Sequence, residues 1–143
     1  MAGLLDRQAR AHGLLRTLFP LYVAASLWHF SHNAEYLNEY PNLPAWISRT
    51  NIYGIWLGMT AIGCVGFLLY LRRRVAMGLI ILGLYATLGL DGLFHYTRAP
   101  FSAHTISMNG TILLEASIAA AVLVVALVIG RHRAALKRHR RVK

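Results

Sequence analysis

The sequence predicts an all-α integral membrane protein: a four-helix bundle of four transmembrane helices, with the N- and C-termini cytoplasmic. Three observations predict it. The 143 residues are 57% hydrophobic and only 14% charged, against about 25% charged in an ordinary soluble domain. The apolar residues gather in four blocks, 17–37, 52–71, 75–97 and 104–130, each near or above the ~20 residues that cross a bilayer. The cations are one-sided. Thirteen of the fifteen Lys and Arg lie before the first block (Arg7, Arg10, Arg16), in the Arg72-Arg73-Arg74 turn, or in the tail 131–143, and only Arg49 and Arg98 occupy the other two loops. Such an excess marks the cytoplasmic side.

The length fits one transmembrane domain, 1–143, ending in a basic cytoplasmic tail, 131–143. The net charge of +10 is read as a topology signal that also meets anionic lipid headgroups, with no nucleic acid as partner. The expected setting is a bacterial inner membrane.

The first block has a basic flank, an apolar stretch and then Ala24-Ala25-Ser26, the outline of a signal peptide. It is read as an uncleaved helix, because apolar character resumes through Trp28 and Phe30. Pro41 and Pro44 end it, since proline disfavours helix at and before itself, and the stretch 38–50 forms an outer cap. The second block opens at Asn51 and holds no acidic, basic or histidine residue. Its Gly54, Gly58, Gly63 and Gly66 suit close helix contact. The lone Cys64 excludes an intrachain disulfide. The third block stays apolar until "GLDGLFHYTRAP", and Pro100 falls in the short loop 98–103. The fourth begins near His104 and reaches Gly130.

Against this apolar background six polar groups on three helices fall in the outer third of the membrane. At a rise of ~1.5 Å per residue, Glu35 lies about 3 Å, His32 about 8 Å and His29 about 12 Å below the outer end of the first helix. By the same measure His95 is about 3 Å and Asp91 about 9 Å deep, and His104 opens the fourth helix. Asp91 and His95, four apart, are expected on one helical face. Glu115 lies about 16 Å further in than His104. It is expected to be neutral near the midplane, where an ionised carboxylate is disfavoured, with Thr60 or Thr87 as hydrogen-bond partner. Ionisable groups inside a bilayer cost roughly 2.5–3.5 kcal/mol each on insertion scales and usually serve function.

Imidazoles with balancing carboxylates suit a transition metal. His29, His32, His95, His104, Asp91 and Glu35 are the candidate metal ligands, and Glu35, Asp91 and Glu115 the candidate catalytic acid–base groups. Met108 is read as packing, and Glu39 as solvated loop. Copper or iron is preferred, zinc is an alternative, and haem, which needs only one or two axial histidines, would leave His32, Glu35 and Asp91 unexplained.

The stretch "DGLFHYTRAPFSAH", about a tenth of the chain, resembles the metal-binding motif in the C subunit of particulate methane and ammonia monooxygenases. It shares the order Asp-x3-His…His through Asp91, His95 and His104, with a shorter separation between the histidines. The resemblance concerns site chemistry, not family membership, and it implies copper.

The expected function is therefore a small membrane metalloenzyme with its site near the extracytoplasmic face, performing oxidoreductase chemistry on a small lipid-soluble substrate. Two other readings stand beside it. One is a non-enzymatic metal- or haem-binding subunit of a larger membrane complex. The other is a metal-free lipid or terpenoid acid–base enzyme. The expected partners are the bilayer, the substrate, and other membrane subunits or further copies of the chain.

Overall fold

The computed structural model describes residues 2–141. They form four long helices, α1 (Ala2–Glu35), α2 (Arg49–Leu71), α3 (Val75–Leu88) and α5 (Ile106–Arg141), and a single turn, α4 (His95–Arg98). Three short 3-10 turns, 37–39, 91–94 and 101–103, join them, and no strand occurs among the described residues. Three segments are long and apolar enough to cross a membrane: Arg49–Leu71, Val75–Arg98 and Ile106–Leu136. The first block lies in α1 as far as Glu35, and the helix begins well before residue 17 and continues through Pro20.

α1 packs against α5 and α2, α2 against α3, and α3 against α5. The core where they meet is aromatic and aliphatic, drawn from Leu15, Phe19, Tyr22, Tyr70, Leu82, Tyr85, Val122 and Ile129. Phe19 stacks on Phe67 with ring centroids 4.2 Å apart. Outside, large apolar side chains face away from the protein: Ile80 is 73% exposed, Leu57 64% and Leu127 58%, whereas His29 and Glu115 are 2% and 1% exposed. Apolar residues outside and ionisable groups inside is the arrangement a hydrocarbon solvent selects.

Small residues set the helix spacing where the sequence places them only in part. A Cβ at Gly63 would enter the Tyr85 ring and one at Gly66 would press on Ile81, whereas Gly54 and Gly58 face open space. Gly78 lies directly against the backbone of Tyr70.

Two breaks position the polar residues. α3 stops at Leu88, short of the expected 97. The Tyr85 carbonyl there accepts from the Gly89 N–H at 3.3 Å and from the Tyr22 hydroxyl at 3.0 Å. A Cβ at Gly89 would overlap that phenol. With Gly89 and Gly92 adding little helical preference, the chain tightens to a 3-10 turn over Asp91–Phe94. Asp91 and His95 are therefore not stacked on one α-helical face, because four residues at three per turn separate them by about a third of a turn. Ahead of Pro100, Ala99 is extended (φ −152, ψ 150), as a residue preceding proline prefers. The fourth long helix begins at Ile106, so His104 sits in extended chain before it (φ −99, ψ 142).

Asn109 fixes this loop. Its Nδ2 donates to the carbonyls of Phe101 (3.2 Å) and His104 (3.3 Å), and its Oδ1 accepts from the Tyr96 hydroxyl at 2.9 Å. The loop after α1 is tied on by Asn42, whose positive φ of 56 asparagine tolerates, and whose Nδ2 donates to the Arg98 carbonyl at 2.9 Å.

Candidate functional site

All the candidate residues but His104 divide between two cavities. The first, about 270 Å³, lies under the 43–47 loop and is lined by His29, Asn33, Asp91, His95, Arg98 and Glu115 among Phe30, Trp46, Ile52, Ile55, Leu88 and Phe94. The second, about 540 Å³, opens on the outside of α1 beside His32, Glu35, Tyr36, Glu39 and Ser107. A rotation of three residues along α1 separates His29 from His32 by about 60°, enough to send them into different spaces.

In the first cavity His29 is the hub. Its Nε2 lies 3.8 Å from Glu115 Oε2 and 3.1 Å from Asn33 Nδ2, and the same amide nitrogen lies 3.3 Å from His95 Nε2. An amide nitrogen carries two N–H donors, so Asn33 donates to both rings, and both rings offer Nε2 as a lone pair. The proton of His29 is then on Nδ1, which donates to Thr111 Oγ1 at 3.4 Å; Thr111 in turn donates to the Met108 carbonyl at 3.1 Å. This network leaves Asn33 Oδ1 and both Glu115 oxygens buried with no hydrogen-bond partner. Orphaned polar atoms of this kind are costly, and here three of them surround one cavity. Gly92 leaves the space open: a Cβ there would stand 3.5 Å from His29 Nε2 and 3.9 Å from Glu115 Oε2.

Glu115 is thus part of the cluster, reached from α1 by His29. The expected partners do not reach it. Thr87 is exposed and donates to the Gly83 carbonyl at 2.9 Å, and the Thr60 hydroxyl has no partner. Helix rise placed His29 and Glu115 only about 4 Å apart in depth, but depth does not show which faces meet. Asp91 stands exposed at the rim of the cavity.

His32, Glu35 and His104 lie apart from this hub. Both ring nitrogens of His32 are used: Tyr40 donates to Nδ1 at 2.9 Å, and Nε2 donates to Ser107 Oγ at 2.8 Å. Burial pushes the Tyr40 phenol up to about 12, which keeps it a donor. Glu35 is held at the surface by Arg49 and by the Tyr53 hydroxyl at 2.9 Å. His104 donates from Nδ1 to the Pro100 carbonyl at 3.0 Å, leaving its Nε2 buried and unpartnered. Its ring stands 6.1 Å from that of His95 and 5.4 Å from that of Tyr96. Among the described residues no group of three or more His, Cys, Asp or Glu side chains is placed to hold a metal ion.

Asn33 holds His29 and Tyr40 holds His32, and neither partner was singled out from the sequence. Asn33 carried a usable signal, lying four residues from His29 and so on the same helical face. Tyr40 carried none, because it reaches His32 through a fold of the loop. Comparison with protein-family models, curated proteins and solved structures finds no match to this chain.

Proposed function

We propose that the chain is a small integral-membrane enzyme that performs general acid–base chemistry on a lipid-soluble substrate in the cavity between His29, Asp91 and Glu115. The observation that carries this reading is the buried His29–Glu115 pair, 3.8 Å apart, with both carboxylate oxygens otherwise unpartnered. A proton held by Glu115 faces a lone pair on His29, and an approach of about 1 Å brings the two to hydrogen-bond distance. Asp91, exposed at the rim of the cavity, is a second proton acceptor. A floor that gives a proton and a rim that takes one suit isomerisation or cyclisation of an unsaturated lipid, in which a C–H bond forms at one carbon and another breaks nearby with no net redox change. The walls favour an apolar body such as an isoprenoid chain, and Asn33 Oδ1 would accept a hydrogen bond from a hydroxyl on it.

In this reading α1 crosses the bilayer beside the three apolar segments, giving four spans with both termini in the cytoplasm of a bacterial cell, and the cavity faces the extracytoplasmic half.

A second reading, a metal-dependent oxidoreductase using copper or iron, rests on a different observation: the Nε2 lone pairs of His29 and His95 converge on one point, now occupied by the Asn33 amide. Were Asn33 to swing aside, Glu115 or Asp91 would supply the third donor, whereas His32 and Glu35 would have to give up existing partners.

One comparison tests both readings. Detergent-purified protein is analysed for bound metals, and lipid extracts of cells producing the wild type, Glu115→Gln or His29→Ala are compared by mass spectrometry. The acid–base reading expects no stoichiometric metal and a lipid isomer that disappears in both variants. Stoichiometric copper or iron, lost in a His29→Ala, His95→Ala double variant, would replace it with the second reading.

A further inference from the structure

We propose that the groove between α3 and α5 is a binding site for one anionic phospholipid, with an acyl chain along the groove and the phosphate on Arg131 and Arg133. The groove, about 650 Å³, is walled by Leu79, Ile80, Leu123 and Leu127, and the two arginines line it. Pockets of this size hold small organic ligands. The site is distinct from the acid–base cavity and does not depend on its function.

The groove has the polarity of a lipid. α3 and α5 run antiparallel, so the start of α3 lies beside the end of α5. Gly83, deeper in, lies at the Leu123 end: a Cβ there would be 3.8 Å from the Leu123 side chain. From Ala76 to Gly83 the groove runs about 10 Å along the helix, apolar throughout, with its cations at the end that also carries Arg72, Arg73 and Arg74. Ile80 and Leu127 are 73% and 58% exposed, so its walls face the hydrocarbon.

Charge complementarity selects the occupant. The chain has five Asp and Glu side chains. Asp6 pairs with Arg10 and Glu35 with Arg49, while Glu115 faces His29. Asp91 and Glu39 line the two cavities at the other end of the bundle. Among the described residues none pairs with Arg131 or Arg133. A phosphate diester, which guanidinium groups grip through paired N–H donors, supplies the missing anion, and its acyl chain covers the apolar walls.

The test is native mass spectrometry of the full chain in mild detergent with phosphatidylglycerol or phosphatidylcholine added. The expected result is one phosphatidylglycerol retained in preference to phosphatidylcholine. An Arg131→Gln, Arg133→Gln double variant should weaken retention about tenfold or more, the weight of a charge-assisted hydrogen bond. Gly83→Leu, which fills the groove and keeps every charge, should also weaken it; Ala126→Leu serves the same purpose should that variant fail to fold. Arg7→Gln, Arg10→Gln removes the same charge from elsewhere and should leave retention unchanged. Three results would overturn the proposal: undiminished retention in the Arg131/Arg133 variant, an equal loss in the Arg7/Arg10 variant, or a groove-filling variant that folds and binds normally. Tight binding of glycerol phosphate alone, insensitive to Gly83→Leu, would make the site a phosphate site rather than a lipid site.

Discussion

Single atoms decide what this cavity can do. Gly92 holds its floor open, and a methyl at that position meets His29 and Glu115 at ordinary contact distance. Gly92→Ala should therefore fold as the wild type does while occupying the space above the pair. On the proposed acid–base function, the expected outcome is an unchanged thermal midpoint in detergent and a fall of about tenfold to a hundredfold in lipid turnover, the penalty of displacing a substrate by about 1 Å. Tyr40→Phe acts in the opposite sense. It removes the donor to His32 Nδ1 and should lower stability by about 1 kcal/mol, read in the same melt, with turnover nearly intact because His32 faces the other cavity.

At the level of the elements, the interruption of α3 matters most. A straight helix through residue 97 would keep Asp91 and His95 on one face. The 3-10 turn from Asp91 to Phe94 instead turns His95 toward Asn33 and leaves Asp91 at the rim. The α2–α3 hairpin is equally demanding, because Gly78 lies against the Tyr70 backbone. Gly78→Ala forces that contact apart and should cost about 1–3 kcal/mol, seen as a lower midpoint. Gly58→Ala, with open space around it, should not. The same pair explains how far small-residue spacing could be read. Four glycines of the second block suggested helix contact, but Gly54 and Gly58 turn outward and only Gly63 and Gly66 meet α3, because spacing defines a face without saying what lies opposite.

For the whole molecule, the sequence by itself determined solvent and order. Long apolar blocks require helices, since backbone groups in hydrocarbon must be paired within the chain, and prolines and arginines punctuate them. The same asymmetry of thirteen cations against two gives a topology prediction. A reporter fused after Lys143 should be active only in the cytoplasm, and a tag within 42–50 should react with impermeant reagents from outside; cytoplasmic labelling of 42–50 would invert the bundle. Glu115 and His29 were visible in the sequence as costly intramembrane groups. Their partnership was not. Rise per residue gives depth from sequence alone, but which sides of α1 and α5 face each other follows from the packing of the whole bundle, in which Tyr22 on Tyr85 and Phe19 on Phe67 set the roll of α1 against α3 and α2. Only the tertiary structure could decide that Glu115 meets His29, that Asn33 joins two imidazoles, and that His32 and Glu35 belong to a separate surface. Those contacts join residues 62 and more positions apart, or turn on 60° of helix rotation, beyond the reach of local pattern.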